Sequence, residues 1–124
     1  MEFVMTYPDI FTVKERIELL ERSILVNSFA YYELNEKILD DHKYDANTLQ
    51  LENFIKQFPA EFIQSRYYPY FYDFCSTDDT THSSTGFDLI SRVKQDDPEL
   101  YDHIWCDAST ALRSKYPDRK WILI

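Results

Sequence analysis

Two adjacent tyrosines, Tyr31 and Tyr32, stand ahead of a short carboxylate-bearing stretch, Asp41-His42-Lys43-Tyr44-Asp45. Asp41 and Asp45 are four residues apart, so on a helix they share one face, with Tyr44 beside them. On an isolated helix such a pair of like charges costs about 0.2–0.5 kcal/mol. A nearby cation reverses that cost, and tyrosine faces attract cations by about 0.5–2 kcal/mol. Two helices joined by a short link can bring Tyr31 and Tyr32 against Tyr44. The product is an aromatic slot with two carboxylates at its lip. That slot suits a flat cationic ring, of which the nicotinamide of oxidised NAD or NMN is one example. The same residues also fit a plainer reading, in which Tyr31 and Tyr44 are core tyrosines and Asp41 only caps a helix.

The elements that must position these residues are legible as apolar periodicity between caps. Thr12-Val-Lys-Glu15 reads as a capping box. Val13, Ile17, Leu20 and Ile24 then repeat at helical spacing, which predicts a helix running to about Leu34. After a short polar link, Asp40 or Asp41 can cap a second helix, whose stripe is Leu51, Phe54, Ile55 and Phe58. Pro59 ends that helix or starts a short turn. The run from Tyr67 to Phe74 holds six aromatics in eight residues, and with Pro69 inside it reads as extended. Residues 75–86 are polar and read as a loop. A short helix starting near Thr85 would carry Phe87, Ile90 and Val93. In the next helix Asp97 is the N-cap, Pro98 the first residue, and Glu99 favours the positive end. Its stripe is Tyr101, Ile104, Trp105, Ala108 and Leu112, Pro117 stops it, and Trp121 to Ile124 should pack back on the body. No internal repeat or domain boundary stands out. The expectation is one all-α domain over residues 1–124: an N-terminal two-helix hairpin at 12–58 and a C-terminal helical extension at 59–124.

Composition narrows the chemistry. Gly86 is the only glycine, so neither a Rossmann GxGxxG nor a Walker A loop can be written, and tight hairpins that need glycine at positive φ are disfavoured. A net charge of −9 with no basic patch argues against direct nucleic-acid binding and suits a basic protein surface instead. No apolar run approaches the roughly 20 residues that span a bilayer, and the first residues carry Glu2 and Asp9 rather than a signal-like apolar core. With only Cys75 and Cys106, a cytoplasmic protein with reduced thiols is expected.

Other constellations carry less. Cys75, His82, His103 and Cys106 are four potential zinc ligands, but Cys75-x6-His82 is loose for a structural site, and no metal is expected. The 67–74 aromatics could stack bases, yet they contain Asp73 and no interleaved base after Arg66, which favours packing or a protein-binding face. No nucleophile–base arrangement of the Ser/His/Asp or Cys/His kind stands out.

The stretch YYELNEKILDDHKYD at 31–45 resembles the Ia domain that opens bacterial NAD-dependent DNA ligases. That pattern is Tyr-His or Tyr-Tyr, a short turn, then Asp-x-x-Tyr-Asp at the start of a second helix. The spacing from Tyr31 to Asp41 agrees, and LENFIKQFP at 51–59 resembles the family's continuation. The resemblance covers 12–58. It implies that Tyr31, Tyr32, Asp41, Tyr44 and Asp45 hold the NMN half of NAD, with tyrosines stacking on the nicotinamide and carboxylates on its ribose-bearing side. Departures are clear. Where the ligase turn carries a proline before Glu-Ile, this chain has Asn35-Glu36-Lys37, and a Ser-Pro-Thr-Gln segment is missing. The adenylated-lysine motif Lys-x-Asp-Gly cannot be written, because the sole glycine sits in Thr85-Gly86-Phe87. Without that lysine there is no AMP transfer. The resemblance therefore implies an NAD- or NMN-binding module without ligase activity of its own, alone or beside a nucleotidyltransferase partner. A second expectation is an acidic interaction protein, of phage or mobile-element type, that binds a host nucleic-acid-handling protein.

Overall fold

In a computed structural model of the chain, the structure describes residues 11–74 and 86–117. Those residues are all-α: six helices and no strand among them. The first, α1 (Val13–Glu33), starts as its sequence dictates. Thr12 Oγ1 accepts from the Glu15 N–H at 3.1 Å, and the Glu15 carboxylate accepts from the Thr12 N–H at 2.8 Å. Ile17, Leu20, Ile24, Leu25 and Phe29 bury one stripe of α1, and α2, α3, α5 and α6 all pack against this helix. Each such side chain contributes about 1.5–3 kcal/mol by leaving water. The helix ends where Asn35 takes φ 57°. Asparagine tolerates that left-handed turn better than most residues, and it lets the Glu36 N–H reach back to the Ala30 carbonyl at 2.9 Å.

Asp40, not Asp41, caps α2 (Asp41–Gln57), accepting from the Lys43 N–H at 2.9 Å. Leu51 is fully buried, while Phe54, Ile55 and Phe58 are partly buried at the edge of the core. Pro59 begins a further short helix, α3 (Pro59–Ile63), which buries Phe62.

One expectation is overturned. The aromatic run is not extended: it forms a helical turn, α4 (Tyr68–Phe71), flanked by i→i−3 bonds such as Phe74 N–H to the Phe71 carbonyl at 2.8 Å. Its buried residues are Tyr67, Tyr70, Phe71 and Phe74, a helical i, i+3, i+4, i+7 set. Burial at that spacing outweighs the β-propensity of the individual aromatics, and Pro69 lies in the first turn, where no N–H is needed. The loop expected at 75–86 lies outside the described residues, apart from Gly86, which begins α5 (Gly86–Asp96). Leu89, Ile90 and Val93 are buried on that helix.

The last helix, α6 (Pro98–Lys115), has the anticipated cap, with Asp97 accepting from the Leu100 N–H at 3.1 Å and Pro98 at the first position. Leu100, Ile104, Ala108 and Leu112 are buried, whereas Tyr101 and Trp105 are only partly so. The packing expected of Trp121 to Ile124 falls outside the described residues. One hydrophobic cluster draws side chains from all six helices. None of the described helices is long and apolar enough to cross a membrane.

Candidate functional site

The turn between α1 and α2 frames a cleft of about 210 Å³, below the size that holds a drug-sized ligand and suited to one ring with a substituent. Tyr31 and Tyr32 reach it from the last turn of α1, 49% and 44% exposed, which excludes a core role for Tyr31. Their rings meet edge to face, centroids 4.8 Å apart. Asp41 and Tyr44 reach it from the first turn of α2. Tyr44 is half-buried, with its hydroxyl 3.1 Å from Ser28 Oγ. Burial raises the Tyr44 pKa, against the lowering effect of the Ser28 hydrogen bond, and the Tyr32 and Asp45 charges add to the rise. Tyr44 is therefore a neutral phenol at neutral pH.

Four of the five anticipated residues are thus brought together, and Asp45 is not. It is exposed and absent from the cleft lining, one turn farther up α2, where its backbone carbonyl accepts from Thr48 Oγ1 at 2.8 Å. Residues at i and i+4 share a face but are about 6 Å apart along the axis. The lip consequently carries one carboxylate rather than two.

Sequence reasoning missed the rest of the lining. Asn27 and Ser28, on α1, form part of the wall. Asn27 Nδ2 donates to the Ser23 carbonyl at 2.7 Å, and its Oδ1 accepts from the Leu39 N–H at 3.2 Å, so it pins the link to α1. Lys37, Ile38 and Leu39 line the cleft from the link between the helices, with the Lys37 side chain exposed to solvent. The Lys37 ammonium donates to Asp41 Oδ1 at 3.0 Å, and this bond raises the lysine pKa. The like-charge cost assigned to Asp41 and Asp45 is therefore met within the chain. Asn27-Ser28 interrupting an apolar stripe, and Lys37 four residues before Asp41, were the available signals.

A distant element also shapes the cleft. Lys115, at the end of α6, donates to the carbonyls of Lys37 and Ile38 at 3.1 and 2.7 Å. The Tyr101 hydroxyl donates to Glu33 beside the two exposed tyrosines. Of the residues weighed for zinc, His103 and Cys106 are exposed on α6, while Cys75 and His82 lie outside the described residues. Among the described residues no three His, Cys, Asp or Glu side chains group as metal ligands.

No family model matches the chain, and no solved structure matches it. Among curated proteins, a DNA ligase of Mycoplasmopsis pulmonis (strain UAB CTIP) is 38% identical over 52 residues, 42% of this chain. The chain spans only 8% of that ligase's length. What the 124 residues carry, inside an all-α architecture, is a segment related to part of a DNA ligase.

Proposed function

We propose that the α1–α2 hairpin binds the nicotinamide mononucleotide portion of NAD, or NMN itself, and that the chain has no ligase activity of its own. The observation that carries this is the pair of exposed tyrosines, which share a cleft with Tyr44 and a single carboxylate, Asp41. Exposing aromatic rings to water is unfavourable by the same area term that drives burial. A planar cationic ring would cover them and gain quadrupole attraction as well. Asp41 supplies the countercharge. The cleft takes one ring and its ribose, which leaves the adenylate half of NAD outside. Similarity to part of a DNA ligase supports the same ligand class, and the missing Lys-x-Asp-Gly motif supports a binding role, alone or beside a nucleotidyltransferase partner.

Calorimetric titration with NMN and NAD tests this. Both should bind with dissociation constants of about 1 mM or tighter, equivalent to about −4 kcal/mol. Tyr31→Ala and Asp41→Ala, at exposed positions, should abolish the heat while the circular dichroism spectrum is unchanged. Asp45→Ala should weaken binding less than Asp41→Ala. Absence of binding to the folded wild-type chain would end the proposal.

A further inference from the structure

We propose that Lys37 makes the cleft selective for a phosphorylated nicotinamide ligand, by leaving Asp41 to contact the ligand phosphate. This rests on the nicotinamide reading above. Among the described residues lining the cleft, Lys37 is the only base and Asp41 the only acid. The two are 3.0 Å apart and exposed, so the pair is itself a small dipole. NMN is the complementary dipole, with a pyridinium cation at one end and a phosphate at the other. In this proposal the ring lies over Tyr31 and Tyr32, and the ribose and phosphate extend to the exposed Lys37–Asp41 pair that lines the same cleft. Exchange is easy because the pair is solvent-exposed and screened, so little is lost when it opens. Both charges are reused: the ammonium on the phosphate, and the carboxylate, freed from its lysine, toward the ring.

The position is also held where this role needs it. The Lys37 carbonyl accepts from Lys115, and Ile38 beside it accepts from the same ammonium. These bonds fix the backbone of residue 37 and leave its side chain to move. Sequence shows the feature as a departure, since the ligase turn that this stretch resembles carries a proline near this point rather than a lysine.

The experiment titrates NMN and nicotinamide riboside, which lacks the phosphate, into the wild-type chain, Lys37→Met and Lys37→Arg. Wild type should prefer NMN by about tenfold, the scale of one charge-assisted hydrogen bond. Lys37→Met should bring the two ligands within about twofold of each other, with riboside affinity unchanged or improved, and Lys37→Arg should restore the preference. A tenfold preference that persists in Lys37→Met overturns the proposal, as does a wild-type chain that binds both ligands equally. In either case the nicotinamide reading stands. A wild-type chain that binds neither ligand removes both.

Discussion

Two stretches of this chain combine tyrosines with carboxylates, and they end in opposite circumstances. At the α1–α2 turn, Tyr31 and Tyr32 stay exposed, and Lys37 and Asp41 pair at 50% and 77% side-chain exposure. Around α4 most of the same residue types are tied into the core or into ion pairs, and the exception, Tyr72, is 56% exposed but lies under a guanidinium. Arg92 sets both terminal guanidinium nitrogens on Asp73, at 2.9 and 3.1 Å, donates to the Tyr70 carbonyl, and lies over the Tyr72 ring. The Tyr70 hydroxyl donates to Asp96 at 2.9 Å. Position relative to the core explains the difference. Tyr67, Tyr70, Phe71 and Phe74 fall on one helical face and can be buried together. Tyr31 and Tyr32 lie in the last turn of α1, past Phe29 and Ala30, the last buried residues of that helix, and each stays about half exposed. An aromatic run at helical spacing builds structure; a pair past the last core residue of a helix leaves its rings at the surface.

The comparison breaks most sharply on paired truncations. Phe71→Ala should cost about 3–5 kcal/mol, because it empties a fully buried site. Tyr31→Ala should stay within about 0.5–1 kcal/mol, because its ring is half in water. Urea unfolding of both variants measures this. Equal losses would mean that Tyr31 is a structural residue and that the cleft is incidental.

Glu21 is the exception on the packed side and gives the next largest effect. It is buried on α1, with Ser65 Oγ donating to its Oε2 at 3.2 Å and Oε1 left without a partner. Burial pushes its pKa up from 4.5 to about 8, opposed by the Ser65 bond and aided by the charge on Glu18. Between those two pH values the folded chain holds a proton that the unfolded chain has lost. The stability associated with Glu21 is thus complete below about pH 4.5 and is lost as pH rises toward about 8, by on the order of a few kcal/mol. Glu21→Gln should flatten the pH dependence of urea midpoints between about pH 5 and 8 and be more stable than wild type at the upper end. An unchanged slope would show that the carboxyl is ionised in the fold and finds a partner by local opening.

How far the sequence discloses each region follows from the range of the interactions. Thr12, Asp40 and Asp97 are legible as caps because a cap bonds a backbone N–H two or three residues away. Tyr31, Tyr32, Asp41 and Tyr44 are legible as neighbours because one short link brings them together. The aromatic turn at 68–71 is misread when residue propensity is put ahead of spacing, although its helical period is present in the letters. Asp45 is placed on the right face but at the wrong height, since periodicity gives an angle and not the position of a cleft. The bond from Lys115 to the 37–38 carbonyls leaves no local trace, because it joins residues 77 and 78 positions apart.

That long bond gives the smallest and most local prediction. Lys115 is exposed, so Lys115→Met should cost only about 0.5–1 kcal/mol in global stability, the net worth of ordinary hydrogen bonds. Its effect should concentrate at the link instead. The Leu39 N–H bonds to Asn27 Oδ1, inside the segment whose carbonyls Lys115 holds. In Lys115→Met the Leu39 amide should exchange with solvent faster by about tenfold, while amides in the middle of α5 keep their wild-type rates. Site-resolved hydrogen exchange reads both. If the Leu39 amide exchanges at its wild-type rate, the cleft wall is held by the α1–α2 hairpin alone. If the Leu39 amide alone quickens, the C-terminal helix keeps the open site in shape, and the packed half of the molecule serves the half that was left exposed.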